Sequence, residues 1–318
     1  MKVGFIGLGN VGAKLAGSVL RNGFDLTVRD LDSSATDEFS RLGAHVANSP
    51  KELAERCDAI ITCLPSPRIS ASVMEDEDGV LAGLSEGNIW IEMSTTDQQE
   101  VLRLGALVSE RGAFAADCPV SGGCHRAATG NIAIFAGCDR IVFDAVFPLL
   151  GAMGRRVLHT GPLGTASILK VVTNYLATAN LVSICEALVT TETTGIDLAT
   201  AYEAIKISSG NSFVHETESQ VILNGSRDIN FTMDLVLKDI SLFQEIAERG
   251  QVPLEISPLL INIFQDAQDR YGSREWSPNV IKRLEEATDL VIRAPGFPAE
   301  IIDDEPEAPG EEVVIAKS

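Results

Sequence analysis

Thirty residues lie between Gly164 and Gly195 without a glycine or a proline. Within them Ala166, Ile168, Leu169, Val171, Val172, Leu176, Leu181, Val182, Ile184 and Leu188 set apolar side chains at every angle around a helix. No other stretch limits the fold of this chain so strongly. A helix of this length runs about 45 Å, and its all-round apolar pattern predicts burial on every side. Lys170, Asn174, Asn180 and several Thr and Ser argue against a membrane span, as does the absence of charge asymmetry around it. The segment reads as a core helix. Lys170 and Asn174 stand one turn apart on one face. A lysine there either snorkels to solvent or does chemistry.

The first thirty residues form one unit. Lys2 to Ile6 is a short strand, Gly7-Leu8-Gly9-Asn10-Val11-Gly12 follows at once, and Leu15, Val19 and Leu20 mark a helix that runs to Asn22-Gly23. A second strand, Leu26-Thr27-Val28, ends at Asp30, 18 positions past the last glycine of the motif. A lone G-x-G-x-x-G is weak. Placed between strand and helix, with an acid at this distance, it predicts a dinucleotide site. Gly7 permits the turn, Gly9 admits the pyrophosphate, Gly12 lets helix and strand pack, and the helix start offers free N–H groups to phosphate. Asp30 suits two ribose hydroxyls and repels a 2′-phosphate, which favours NAD; Arg29 beside it keeps NADP open.

Strands and helices then alternate. Asp58 to Leu64 is a buried strand that stops at Pro65, so Leu64 and Pro65 sit at the carboxyl edge of a sheet, where ligands bind. Asn88 to Met93 leads to Ser94-Thr95-Thr96, and Ala113 to Asp117 leads to Cys118-Pro119-Val120-Ser121-Gly122-Gly123. A Ser-Gly-Gly turn at a strand's carboxyl end exposes backbone N–H groups and makes an anion site, although an ordinary glycine turn has the same composition. Further strands are expected at Gly130 to Gly137 and Arg155 to His159, around a helix from Asp139 to Leu150. After Gly195 only helices are expected: Asp197 to Lys206, Ser212 to Asn224, Met233 to Arg249, Leu254 to Tyr271 and Pro278 to Arg293.

The expectation is an α/β protein. A Rossmann dinucleotide-binding domain (1–160) precedes an all-helical domain (161–294), joined through the long central helix. An acidic, proline-containing tail (295–318) is expected to be extended and solvated, its end Glu312-Val313-Val314-Ile315 being capable of adding to a partner's surface. A formal charge of -20 argues against nucleic acid and anionic membranes as partners. Six scattered cysteines, without C-x-x-C pairs or histidines at ligand spacing, read as reduced thiols of a cytoplasmic protein with no metal site. No signal or transit segment is evident at the N-terminus.

Four segments now agree in order and spacing with one family: Gly4-Phe5-Ile6-Gly7-Leu8-Gly9-Asn10-Val11-Gly12; Asp117 to Gly123; Gly161-Pro162-Leu163-Gly164 through Lys170 to Asn174; and Phe231 with Lys238-Asp239. From residue 2 to about 293 the chain resembles the β-hydroxyacid dehydrogenases, the group of 3-hydroxyisobutyrate dehydrogenase, tartronate semialdehyde reductase and the glyoxylate/succinic semialdehyde reductases. The resemblance implies reversible oxidation of a small anionic β-hydroxy acid to its semialdehyde, with NAD or NADP, by a homodimer or homotetramer. It implies Lys170 as general acid/base with Asn174 beside it. Gly7, Gly9, Asn10, Val11, Gly12, Asp30, Leu64, Pro65, Thr95 and Lys238 would meet the cofactor. Ser121, Gly122 and Gly123 would cradle the carboxylate, with Phe231 and Asp239 on the far wall. Such chemistry needs a group that takes the hydroxyl proton as the carbinol carbon is oxidised, and burial brings a lysine toward that task.

Two departures bear on substrate. Val11 replaces the family's usual Met, a neutral exchange. His125 and Arg126 stand where relatives carry Gly or Ala, and two cationic side chains after the cradle suggest a second carboxylate, a sulfonate or a phosphonate on the substrate. An Arg126 paired with an acid is the plainer expectation. Asn211, Ser212 and His215 lie where relatives line the pocket. Two other functions fit the architecture: imine reduction, against which Lys170 counts, and non-catalytic dinucleotide binding, against which the intact Ser121-Gly122-Gly123, Lys170 and Asn174 count.

Overall fold

The computed structural model describes residues 1–315, so the last three positions of the expected tail lie outside the described residues. The chain divides into two compact units, Met1–Lys170 with the C-terminal stretch from Asp303, and Val171–Ile302.

The first unit is a twisted sheet covered on both faces. It opens with β1 (Lys2–Ile6), α1 (Gly12–Arg21), β2 (Asp25–Arg29), α2 (Ser33–Arg41) and β3 (His45–Val46). Next come α3 (Pro50–Arg56), β4 (Ala59–Thr62), α4 (Pro67–Glu75), α5 (Val80–Gly83), β5 (Ile89–Glu92) and α6 (Gln98–Ser109). Then follow β6 (Phe114–Asp117), β7 (Val120–Ser121), α7 (Gly123–Thr129), β8 (Ile132–Gly137), α8 (Arg140–Met153) and β9 (Gly154–Gly161). Period-two alternation explains the layers. Val3 and Phe5 of β1, Ala59 and Ile61 of β4, and Ile89 and Ile91 of β5 meet Leu15, Val19, Phe143 and Val146 on one face. Ile6, Ile60 and Trp90 meet Leu53, Met74, Val80 and Leu104 on the other.

The strands run β9-β8-β6-β5-β4-β1-β2-β3. Chain direction reverses its progress between β1 and β4, and the crevice at their carboxyl ends is where such a sheet binds ligand. Pairing is parallel from β3 to β6, and β8 runs antiparallel to β6 and β7. The short β3, β7 and α7 escaped the sequence reading, because two residues of strand and two turns of helix leave no periodic signature.

The second unit is helical. α9 (Thr165–Thr193) enters it, followed by α10 (Leu198–Lys206), α11 (Phe213–Asn224), α12 (Met233–Arg249) and α13 (Ile256–Tyr271). The single helix expected from Pro278 to Arg293 is instead a 3₁₀ turn, Ser277–Ile281, and a short α14 (Lys282–Thr288). Asp289 takes a left-handed conformation with φ of 55°, and the Leu290 N–H turns back to the Glu285 carbonyl, which ends the helix early. Leu181, Ile184 and Leu188 of α9 pack with Tyr202, Ile222, Val236, Ile240 and Phe264 in the core of this unit. α9 is long and apolar enough to cross a membrane by composition. Burial is not all-round, however: Leu176 is 54% exposed and Leu169 39%.

The tail departs from expectation. From Asp303 onward it belongs to the first unit, and β10 (Glu311–Glu312) pairs parallel with β9, with Glu311 opposite Arg156 and Glu312 opposite Val157. Its end adds to this chain's own sheet, where Arg140 grips Glu312 and Arg156 meets Glu311.

Candidate active site

The glycine motif is built as a cradle. Gly7 has φ of +99°, and a Cβ there would meet the Cys63 carbonyl oxygen at 2.3 Å. At Gly12 it would meet the Gly7 carbonyl oxygen at 2.0 Å, so α1 starts in direct contact with the loop. Gly9 differs: a Cβ built there lies within 4 Å of none of the described residues. The loop is thus closed on its protein side and open at Gly9. No side chain among the described residues caps α1, whose N-cap is Val11, and its first turn holds no acid. Backbone N–H groups and the helix dipole are left for a phosphate, and the donor set fits the pyrophosphate of a nicotinamide dinucleotide.

Asp30 does more than await a ribose. Its Oδ2 accepts the Leu8 N–H at 2.5 Å and its Oδ1 the Asp32 N–H at 2.8 Å, which ties the glycine loop to the end of β2. Each oxygen keeps a lone pair for a hydroxyl. Arg29 turns to its own backbone and donates to the Asp30 carbonyl. At the end of β4 Leu64 is half-buried and Pro65 exposed, and the Leu64 N–H donates to Ser94 Oγ at 2.7 Å. The Ser94 N–H in turn reaches the buried Glu92 at 2.8 Å, so the loop carrying Thr95 is anchored beside Leu64. Burial raises the pKa of the Glu92 carboxyl.

The segment after β6 has the conformation that its glycines allow. Gly122 and Gly123 take φ of +128° and +87° in succession, which side-chain-bearing residues rarely adopt, so the turn that opens α7 calls for glycine at both positions. His125 and Arg126 fold back onto it. A Cβ on Gly123 would meet the His125 ring at 2.8 Å, and one on Gly122 the Arg126 Cδ at 3.4 Å. Burial, then the Arg126 charge, lowers the His125 pKa.

Asp117, at the end of β6, is completely buried. It accepts the Gly164 N–H at 2.7 Å, the Ser167 N–H at 2.7 Å and the Ser167 hydroxyl at 2.8 Å, and so caps α9. A Cβ on Gly137 would meet Asp117 Oδ1 at 2.3 Å, so that glycine makes room for the carboxylate. Burial raises its pKa against these donors. Three residues past Ser167 comes Lys170, 8% exposed.

In the second unit Asn174 Nδ2 donates to Asp239 Oδ2 at 2.5 Å, and Lys238 Nζ pairs with Asp239 Oδ1 at 2.7 Å. A carboxylate only accepts, so Asp239 fixes which end of the Asn174 amide is the donor. Phe231 packs against this unit's core. Asn211, Ser212 and His215, expected to line a pocket, are engaged locally. Ser212 Oγ caps α11 through the His215 N–H at 3.0 Å, and Asn211 Nδ2 reaches Glu216 at 2.6 Å. His215 is buried, its ring nitrogens bound to Ser219 Oγ at 3.0 Å and the Tyr202 carbonyl at 2.9 Å. Sequence reasoning missed the buttressing role of Glu92 and Asp117, whose partners include backbone N–H groups, and gave Asp239 a wall position rather than its bond to Asn174. Burial raises the Cys57 thiol to about 11 and the Cys63 thiol to about 12. No metal-binding group occurs among the described residues.

Residues 2–161 match the family model of the NAD binding domain of 6-phosphogluconate dehydrogenase, and residues 164–284 that of the NAD-binding domain of NADP-dependent 3-hydroxyisobutyrate dehydrogenase. A 2-(hydroxymethyl)glutarate dehydrogenase of Eubacterium barkeri is 32% identical over 92% of this chain and 97% of its own length. An NAD-dependent L-serine dehydrogenase of Pseudomonas aeruginosa is 31% identical over 90% and 98%. The crystal structure of a 3-hydroxyisobutyrate dehydrogenase from Salmonella typhimurium superposes with a TM-score of 0.82 at 27% identity, covering 89% of this chain and 99% of that one. The chain belongs to the β-hydroxyacid dehydrogenase family. It is an oxidoreductase that acts on a hydroxy acid with a nicotinamide dinucleotide, NAD or NADP.

Proposed function

We propose that this dehydrogenase reversibly oxidises a small β-hydroxy acid of the 3-hydroxyisobutyrate type to its semialdehyde with NAD, and that Lys170 moves the hydroxyl proton. The observation that carries this is a buried lysine on a helix whose start is held by the buried Asp117. A nicotinamide held at the glycine loop would supply the acceptor for the hydride that leaves the carbinol carbon. The chain's own residues supply the rest. Lys170 Nζ takes the hydroxyl proton during oxidation and returns it during reduction. Asn174, its amide set by Asp239, holds the hydroxyl in line. Ser121, Gly122 and Gly123 hold the substrate carboxylate, and Phe231 and Asp239 close the far side. Gly7, Gly9, Asn10, Val11, Gly12, Asp30, Leu64, Pro65, Thr95 and Lys238 contact the dinucleotide. The enzyme works in the cytoplasm as a homodimer or homotetramer.

A second reading concerns the substrate's other end. His125 and Arg126 lie against the Ser-Gly-Gly turn, and the Eubacterium barkeri relative is named for a hydroxy dicarboxylate. Both favour a substrate with a second anionic group, met by Arg126. Initial rates of NAD and NADP reduction with 3-hydroxyisobutyrate, 3-hydroxypropionate, serine, glycerate, 2-(hydroxymethyl)glutarate and a hydroxypropanesulfonate test both readings. The 3-hydroxyisobutyrate type predicts the highest kcat/KM for the monocarboxylates, unaffected by Arg126→Ala. The second predicts preference for a dianion or sulfonate, with KM raised about ten-fold or more in Arg126→Ala. No turnover on any of them refutes both.

A further inference from the structure

Residues 285–318 lie outside both segments that match the family models, yet from Asp303 the chain is fastened to the first unit at five places. Asp303 Oδ2 accepts the Thr129 hydroxyl and, at 2.8 Å, Asn131 Nδ2. The Glu305 carbonyl accepts the same amide at 2.8 Å. Glu307 meets Asn22 at 3.1 Å and Arg21 at 3.4 Å. The Gly310 N–H reaches the Gly151 carbonyl at 2.9 Å, and β10 completes the sheet edge with the Val313 N–H on the Val157 carbonyl at 2.8 Å. Pro306 and Pro309 keep the stretch between these points extended.

The first fastening has a consequence for the site. Thr129 ends α7, and Gly122-Gly123 begins it, seven residues earlier. The Asn131 N–H donates to the Arg126 carbonyl at 2.9 Å, and Arg21 holds the Ala128 carbonyl at 3.0 Å. A helix of two turns moves as one piece, so what fixes its last residue fixes its first. We propose that Asp303 is a positioning residue for the carboxylate cradle: the C-terminal strap locks α7 from behind and so sets the affinity for the hydroxy acid, without touching substrate or moving a proton. This rests on the reading of Ser121, Gly122 and Gly123 as that cradle.

Thr129 and Asn131 both donate to the same oxygen of Asp303. An asparagine in its place can present Oδ1 to both donors and keep the lock, whereas alanine cannot. Three proteins are compared with the parent: Asp303→Ala, Asp303→Asn, and a chain ending at Ile302. Asp303→Ala and the shortened chain are expected to raise KM for the hydroxy acid about five-fold, the scale of one or two lost hydrogen bonds to a carboxylate. Values of kcat and the Kd for NAD stay within about two-fold, and Asp303→Asn returns KM to the parent's level. Amide hydrogen exchange over residues 123–131 reads the lock without turnover and is expected to rise in Asp303→Ala and the shortened chain only. Unchanged KM and unchanged exchange in Asp303→Ala overturn the proposal, as does a fall in thermal stability with KM unmoved. Raised exchange over 123–131 together with an unmoved KM in an active enzyme shows instead that α7 is locked but is not the cradle.

Discussion

At the scale of single residues, three carboxylates at the carboxyl edge of the first unit's sheet hold backbone in place rather than meet cations. Asp30 holds the glycine loop through Leu8, Glu92 holds the Thr95 loop through Ser94, and Asp117 holds the start of α9. Each stands at a strand's carboxyl end, where a loop must be aimed with ångström accuracy. Asp117→Ala leaves two N–H groups and a hydroxyl unpaired at a helix start, a loss of about 3 kcal/mol of stability measurable by denaturant titration. The same change is expected to lower kcat about 100-fold through Lys170, with Kd for NAD little changed. Asp30→Asn removes one loop anchor and the charge that disfavours a 2′-phosphate, so Kd for NAD should rise about ten-fold while discrimination against NADP shrinks; calorimetric titration with both dinucleotides measures this. Gly7, Gly9, Gly12 and Asp30 were legible because a motif with fixed spacing names them. Asp117 was visible only as part of a family segment. Two of its partners are N–H groups 47 and 50 residues away, which every residue but proline carries, and the third is a lone serine hydroxyl, so no spaced side-chain pattern points to them.

At the scale of elements, the sheet and the long helices could be read from the chain because hydrophobic period and length agree over many residues. α12 was located to the residue, Met233–Arg249. The segment from Pro278 to Arg293 was not, since its apolar spacing continues past Thr288 while the left-handed Asp289 stops the helix; an asparagine-like turn residue is a weak signal beside a strong period. Close packing at the glycine loop makes a sharper prediction. Gly12→Ala sets a methyl against the Gly7 carbonyl oxygen, where neither backbone can yield without moving α1 or β1. The variant is expected to lose NAD affinity by about 100-fold or more in a fluorescence titration. Gly9→Ala, with nothing described within 4 Å, should fold as the parent does, and any loss of NAD affinity in it reads the cofactor's approach directly.

At the scale of the molecule, 318 residues with a formal charge of -20 bind an anionic cofactor and an anionic acid, so local geometry must outweigh the net field. In the proposed site, backbone N–H groups at α1 and at Gly122-Gly123 provide for this without altering the charge. The tail's role was hidden from the sequence because proline and acid content reads as solvated, and its basic partners Arg21, Arg140 and Arg156 are scattered through the chain. The second unit carries its own pH dependence. Burial pushes the Glu218 carboxyl up to about 8. A carboxyl that binds its proton more tightly when folded favours the folded state at low pH and loses that advantage as pH rises from the unfolded value near 4.3 through 8. Glu218→Gln should therefore stabilise the protein at pH 8, and the difference should narrow toward pH 5 in parallel urea titrations.

The proposed proton transfer turns on Lys170, and the most direct test is the rate of NAD reduction by Lys170→Met, which keeps length and apolar bulk but carries no proton. It is measured at saturating NAD with the panel's best substrate. A fall of about 1,000-fold or more in kcat, with Kd for NAD unchanged and the pH dependence of the residual rate flattened, is the predicted result. A variant that keeps most of its kcat and the parent's pH profile would contradict the assignment and move the proton transfer to another group.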